Sequence, residues 1–343
     1  MEPFPVAVLT TFCYEAFQRA GLTAEDAQTV TATLIEADLR GVETHGMYRV
    51  PMYIRRLLSG QANPRPRMSV VRETPFSVLL DADNALGQLA AFRAMSMSVD
   101  KARSGGLAIA AVSHSSEFGR AAYYAALALE ADLIGFATTN SVPLMAPPGA
   151  RSRVHGNNPL AFAFPTAEEP PIVLDMALSV VAGGRIGLAA NEGWTIPLEW
   201  GFTDADGRPT DNPSLARGNP MPPVGGYKGY WLAMAMDVLA GVLSGGSFAA
   251  DIASSGSGVG HFFMALNPEL FLPVDEFKRR MDEMIRQVRN AERLPDTARI
   301  YLPGERELEL KAQRLREGIP LQPSIVAGLR DVAKELNIVG SIL

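Results

Sequence analysis

The chain holds four histidines, His45, His114, His155 and His261, and they bound its capacity for acid and base work near neutral pH. One of them has a distinctive setting. His45 lies in Glu43-Thr44-His45-Gly46, with a hydroxyl before it, a glycine after it and Arg49 four residues on. A histidine can give or take the proton that accompanies hydride transfer at a carbonyl, and an arginine fork can hold a carboxylate by paired hydrogen bonds. Together they suit a 2-oxo acid. A turn histidine capping a helix end beside a surface arginine has the same spacing, so the pattern alone leaves both readings open.

A hydride also needs a carrier. The Gly-x-Gly-x-x-Gly turn between a strand and a helix, with an acidic residue about 20 positions on, is missing. Gly256-Ser257-Gly258-Val259-Gly260 has the wrong spacing and no strand before it, and reads as a flexible loop. Gly225-Gly226-Tyr227-Lys228-Gly229 precedes an apolar helix. It either offers backbone N–H groups, a lysine and the positive helix end to a phosphate, or is only a glycine-rich helix entrance. No Gly-x-x-x-x-Gly-Lys-[Ser/Thr] occurs, which speaks against nucleotide hydrolysis.

These candidates hang on elements that hydrophobic spacing predicts. Leu9, Phe12, Cys13, Ala16, Phe17 and Ala20 recur at helical steps and stop at Gly21. Thr23 with Asp26 resembles a capping box opening a second helix that ends near Gly41, and a third begins around Arg49 with Pro51 in its first turn. Thr44-His45-Gly46 is then the turn between helices. From Val70 the texture changes to short apolar runs: Val70-Val71, Ser77 to Leu80, Leu107 to Val112, Ile134 to Thr138, Leu160 to Phe164 and Ile172 to Leu174. Helical stretches Ala90 to Arg103 and Arg120 to Glu130 separate some of them, and helices return at Val274 to Asn290, Glu305 to Glu317 and Ser324 to Asn337. The expected fold class is α/β, mixed α+β. A sheet domain over residues 67–264 is joined by a discontinuous helical domain from both chain ends, residues 1–66 with about 265–343.

Composition narrows the partners. With 343 residues, 47% of them hydrophobic and 20% charged, the chain can bury a sizeable core. A net charge of −6 and a pI near 5.4 leave no excess of Lys and Arg for nucleic acid or an anionic membrane. The expected partner is a small molecule. The single cysteine, Cys13, can build neither a disulfide framework nor a zinc site and reads as a buried thiol, and no metal site is expected. Met1-Glu2-Pro3-Phe4-Pro5 lacks the features of a secretory signal, so cytoplasmic residence is the default expectation. Tyr230 to Leu243 is too short to span a bilayer, carries Asp237, and reads as a buried core helix.

Several segments in order resemble one family, the malate/L-lactate dehydrogenase-like oxidoreductases, which include ureidoglycolate and sulfolactate dehydrogenases, diketogulonate reductase and cyclic-ketimine reductases. The resemblance rests on Ala37 to Gly46 continuing to Arg49, Pro51 and Tyr53, and on Phe118-Gly119 followed by Ala121 to Tyr124. Asn140, Pro147 to Gly149, Gly156 to Leu160, Asp175-Met176-Ala177 and Ser179 to Ala182 carry it further, with Gly225 to Gly229, Leu239 to Gly245 and Pro303-Gly304-Glu305. It implies a non-Rossmann sheet domain that binds NAD or NADP, and a homodimer whose partner subunit helps close the active site. It also implies that His45 protonates the new alcohol or amine with help from Thr44, and that Arg49 grips the substrate carboxylate. Tyr53 and Asn157 would join Arg49 around the substrate. Ser115, Ser116, Glu117, Phe118, Gly119, Asn140, Asn158, Asp175, Met176, Ala177, Lys228, Gly229, Gly304 and Glu305 would line the cofactor and the pocket floor.

The departures matter as much. Where relatives commonly read Ser-x-His-Phe-Gly, this chain has Ser115-Ser116-Glu117-Phe118-Gly119, so a carboxylate replaces an imidazole and would favour a cationic iminium or amine. His114, three residues earlier, is a candidate for the lost role or a loop or strand-end residue. Thr44 stands for the usual serine, Asn157 for threonine and Leu178 for threonine. Three readings follow: an oxidoreductase of 2-oxo and 2-hydroxy acids, a 2-imino acid reductase, and a catalytically inactive cofactor-binding dimer.

Overall fold

A computed structural model describes residues 3–181, 183–252 and 258–338. Helix α1 (Val6–Arg19) buries the predicted stripe Leu9, Phe12, Cys13, Ala16 and Phe17. Helix α2 (Ala24–Leu39) opens on Thr23, whose side-chain oxygen accepts from Asp26 N at 3.0 Å. Two short 3-10 turns, Glu43–His45 and Met47–Arg49, then lead into α3 (Val50–Leu58), with Pro51 in the first turn where its missing N–H costs no hydrogen bond.

The central sheet consists of β2 (Ser69–Glu73), β3 (Ser77–Asp81), β4 (Leu107–Ser115), β5 (Ile134–Thr139), β6 (Leu160–Phe164), β7 (Ile172–Met176) and β8 (Val259–Leu266). Their spatial order is β2-β3-β4-β8-β5-β6-β7. Only β3 and β4 pair in parallel, joined through α4 (Gly87–Gly105); the other neighbours are antiparallel. A two-stranded ribbon, β1 (Pro3–Phe4) with β9 (Ile319–Pro320), ties the amino-terminal segment to the carboxy-terminal region.

Strand β8 was not expected from the sequence, although it sits between β4 and β5. Residues Val259 to Phe263 are all buried, because the strand is covered on both faces and so shows no apolar–polar alternation. The glycine-rich loop expected at Gly256 to Gly260 is thus a strand from Val259 onward, and residues 253–257 lie outside the described residues, as does Ala182.

Helices cover both sheet faces. One face presents Ala108, Ala110, Ala137, Ala161, Ala163, Phe263 and Ala265, and packs into the same apolar cluster as α1 to α4, α5 (Ala121–Ala126) and the carboxy-terminal helix Pro323–Glu335. The other face sets Phe136, Leu160 and Phe262 against Tyr230, Ala233 and Met236 of the helix Tyr227–Asp237. Numbered in chain order, α6 is Gly183–Glu192, α7 Pro213–Ala216, α8 Tyr227–Asp237, α9 Val274–Arg289, α10 Glu305–Glu317 and α11 Pro323–Glu335.

The segment expected as a buried core helix is only half buried. Tyr230, Ala233, Met236, Asp237 and Ala240 face inward, whereas Trp231 is 49% exposed, Val242 52% and Leu243 56%. A helix that is apolar all round has two such faces, and the sheet covers one. Asp237 is buried because it accepts hydrogen bonds from Asn140 Nδ2 and Ala249 N, each at 2.8 Å. Among the described residues no helix is long and apolar enough to cross a membrane.

Candidate active site

The turn carrying His45 is shaped by Asp38 of α2. A Cβ on Gly46 would lie 2.1 Å from the Asp38 carboxylate, so only glycine lets that carboxylate reach the Met47 N–H, at 2.7 Å. Burial pushes the Asp38 carboxyl up to about 7. Within the turn, His45 Nδ1 lies 2.9 Å from Thr44 Oγ1, and Arg49 Nε donates to Thr44 O at 2.8 Å. Thr44 therefore links the imidazole and the guanidinium through its side chain and main chain.

Glu117 arrives from the loop after β4. That loop is pinned from below by a buried polar chain: Ser115 Oγ to His261 Nε2 at 2.8 Å, and His261 Nδ1 to Thr139 Oγ1 at 2.8 Å. Thr139 donates to Gly260 O at 2.9 Å and so accepts from Nδ1–H, which leaves Nε2 to accept from Ser115. Desolvation drives His261 down to about 3, so it is neutral, and Phe118 stacks on its ring at 4.8 Å. Ser116 Oγ accepts from Gly87 N at 3.0 Å. Above this anchor the Glu117 carboxylate accepts from Gly119 N at 2.8 Å and from the hydroxyl of Tyr53, itself fully buried on α3.

His45, Arg49 and Glu117 form one electrostatic group with Asp175 and Arg120. Burial lowers the pKa of His45; the Glu117 carboxylate opposes this most strongly, followed by the effects of Arg49, Asp175 and Arg120. Asp175, on β7, is 3.1 Å from Arg120 Nε and accepts from Ala122 N at 3.3 Å, yet burial still raises its carboxyl above the usual range. A cavity of about 220 Å³ adjoins Arg120, lined also by Glu36, Arg40, Tyr123, Val173 and Leu308.

The remaining predicted residues fall elsewhere. Asn140 spends its side chain on Asp237, Ser247 O and Gly260 N, and Asn158 on Ser141 N and Ala233 O, so both brace α8. Asn157 accepts from Ser141 Oγ at 3.2 Å. Lys228, exposed in the first turn of α8, has no hydrogen bond or ion pair among the described residues, and Gly229 packs its Cα against Val224 O. Met176 and Ala177 follow Asp175 at half-buried positions. Gly304 lies against Val173, and Glu305 is held by Leu302 N, Arg289 and Arg299. No hydrogen bond or ion pair among the described residues runs directly between the His45 group and the Lys228 group. His114 does not stand in for an imidazole at position 117: it is exposed and pairs with Asp81 at 3.0 Å. Sequence reasoning assigned no role to Asp38 or Arg120. Asp38 lies nine positions before the N–H it binds, and no local pattern marks such a pairing.

A family profile described as malate/L-lactate dehydrogenase matches residues 4–330. The malate dehydrogenase of Pyrococcus abyssi is 38% identical over 346 residues, covering 98% of this chain and 95% of that protein. The solved malate dehydrogenase of Pyrococcus horikoshii superposes with a TM-score of 0.90 at 35% identity, over 98% of this chain and 96% of that one. A delta1-piperideine-2-carboxylate reductase from Pseudomonas syringae pvar. tomato superposes with a TM-score of 0.85 at 29% identity, over 97% and 100%. Matching end to end in sequence and in fold, the chain belongs to the malate/L-lactate dehydrogenase family.

Proposed function

We propose that this chain moves a hydride between NAD or NADP and C2 of a small 2-oxo or 2-hydroxy acid. The observation that carries the reading is the joining of His45 and Arg49 through Thr44, beside the Glu117 carboxylate. When bound, the nicotinamide supplies or receives the hydride. His45 Nδ1 is engaged by Thr44, so Nε2 is the atom that gives a proton to the new hydroxyl in reduction and takes it back in oxidation. Arg49 is fixed at Nε by Thr44 O, and its Nη1 reaches only the weak acceptor Met52 Sδ at 3.6 Å, a contact the substrate carboxylate would replace at the tip of the fork.

The residues present fit a dinucleotide. Gly225 and Gly226 hold φ of +62° and +66°, and a Cβ at Gly229 would stand 2.0 Å from Val224 O. This tight entrance to α8 carries Lys228, which has no ion-pair partner among the described residues, a donor set suited to a phosphate. We propose further that the chain forms a homodimer, the second copy covering Trp231, Val238, Val242 and Leu243 and helping to close the site; their exposure supports this.

Following NADH and NADPH absorbance with pyruvate, oxaloacetate, piperideine-2-carboxylate and pyrroline-2-carboxylate tests the proposal. Turnover of the oxo acids supports it. Glu117 favours a second reading, reduction of a 2-imino acid, because its carboxylate attracts an iminium carbon; turnover of the cyclic imines alone would select that. Tight cofactor binding with no turnover of either class would instead identify an inactive cofactor-binding dimer.

A further inference from the structure

Helix α10 touches both sides of the candidate site. At its start, Val173 N donates to Pro303 O at 3.1 Å, and Val173 lies two residues before Asp175 on β7. Glu305, 5% exposed, locks that end by accepting from Leu302 N at 3.0 Å, Arg289 Nη2 at 2.5 Å and Arg299 Nη2 at 3.2 Å. Farther along, Lys311 Nζ binds the Glu36 carboxylate of α2 at 2.7 and 2.9 Å. Arg314, 8% exposed, then divides its fork: Nη1 donates to Asp38 O at 2.5 Å and Nη2 to Glu43 Oε1 at 2.6 Å.

Those last two bonds meet the His45 turn at its root. Glu43 is the first residue of the 3-10 turn that ends at His45, and Asp38 is the residue whose carboxylate holds Met47 N on the far side. The turn is thus gripped two residues before the imidazole by Arg314 and two residues after it by Asp38. From Glu305 to Arg314 the helix rises roughly 14 Å, a rigid spacer between the Asp175 strand and the turn. We propose that Arg314 is a positioning residue for His45, and that α10 is the strut that sets the imidazole against the β7 side of the site. The proposal takes its interest from the hydride-transfer reading, but its test does not depend on turnover.

With four histidines in the chain, the ring signals of the ¹⁵N-labelled full-length protein can be followed by NMR, that of His45 being identified by its loss in His45→Gln. Glu117, Arg49, Asp175 and Arg120 act on His45 and keep their charges in each variant, while Arg314→Met and Glu43→Gln remove charges of opposite sign, so a rise in its titration shared by both reports movement of the turn rather than lost charge. Arg314→Met is expected to raise the His45 midpoint by about half a pH unit toward the ordinary histidine value as the turn loosens into water. It should also cut kcat about tenfold while KM for the acid stays within about twofold. Arg314→Lys, with a single point charge, should recover part of both effects. Glu43→Gln should act in the same direction and add little in the Arg314→Met background. A folded Arg314→Met protein with an unchanged His45 titration overturns the proposal; if that variant does not fold, an unchanged titration in Glu43→Gln does so. A wild-type protein that turns over neither oxo nor imino acids overturns the hydride-transfer reading, while the titration still decides the strut.

Discussion

Tyr53, fully buried on α3, donates its hydroxyl hydrogen to the carboxylate of Glu117, which stands beside His45. Burial and the adjacent carboxylate push the Tyr53 phenol well above its ordinary pKa, so it remains a donor to Glu117. Glu117→Gln keeps an acceptor for Tyr53 and removes the charge. If a cationic iminium is the substrate, its kcat/KM should fall at least about fivefold more than that of pyruvate, the weight of one charge about 4 Å away even in high dielectric. Parallel assays of the two substrates check this, and equal losses would remove the electrostatic role.

His45→Ala should lower the rate of hydride transfer by about 10² to 10⁴, the usual weight of one positioned acid. Single-turnover kinetics measure it directly. Near-normal turnover would mean the proton comes from another group.

Arg49→Ala is expected to act mainly on binding. Losing a charge-assisted fork costs about 1.5–3 kcal/mol, or roughly ten- to hundredfold in KM, with a smaller change in kcat. A variant whose kcat falls while KM holds would place the carboxylate elsewhere.

The pH dependence follows from His45. Burial lowers its pKa below 6.5, so at neutral pH it is mostly the neutral base. Oxidation, which needs that base, should reach half of its plateau rate below pH 6.5; reduction, which needs the imidazolium, should decline as pH rises through the same midpoint. Profiles of kcat/KM in both directions test this, and a reductive optimum above pH 8 would contradict it.

Asp38 gives a stability prediction. Its carboxyl titrates near 7 in the fold and near 3.8 as a free side chain, so the folded state binds the extra proton between those values. The stability it contributes is complete below about 3.8 and is lost as pH rises toward 7. Asp38→Asn keeps an acceptor for Met47 N and abolishes the titration. The drop in Tm between pH 5 and pH 8 should be smaller in the variant than in the wild type, as thermal melts would show.

Much of this was legible along the chain. Apolar residues at helical spacing placed α1, α2 and α9, because a helix with one covered side leaves a 3.6-residue repeat; Glu305 to Glu317 is helical as expected. The His45 and Arg49 pair was visible as a motif because both residues serve one short turn. Strand β8 was not visible, since burial on both faces erases alternation, and the exposed side of α8 looked like core because apolar sequence does not say which faces have partners. Pairings across great sequence distance, such as Arg314 with Glu43 at a separation of 271 residues, exist only once the chain has folded. Residue type and local order thus determined the helices and the candidate acid. What surrounds that acid, including the buried tyrosine, the carboxylate it binds and the helix behind the turn, was decided by packing, because Coulomb and hydrogen-bond energies depend on distance in space rather than along the chain.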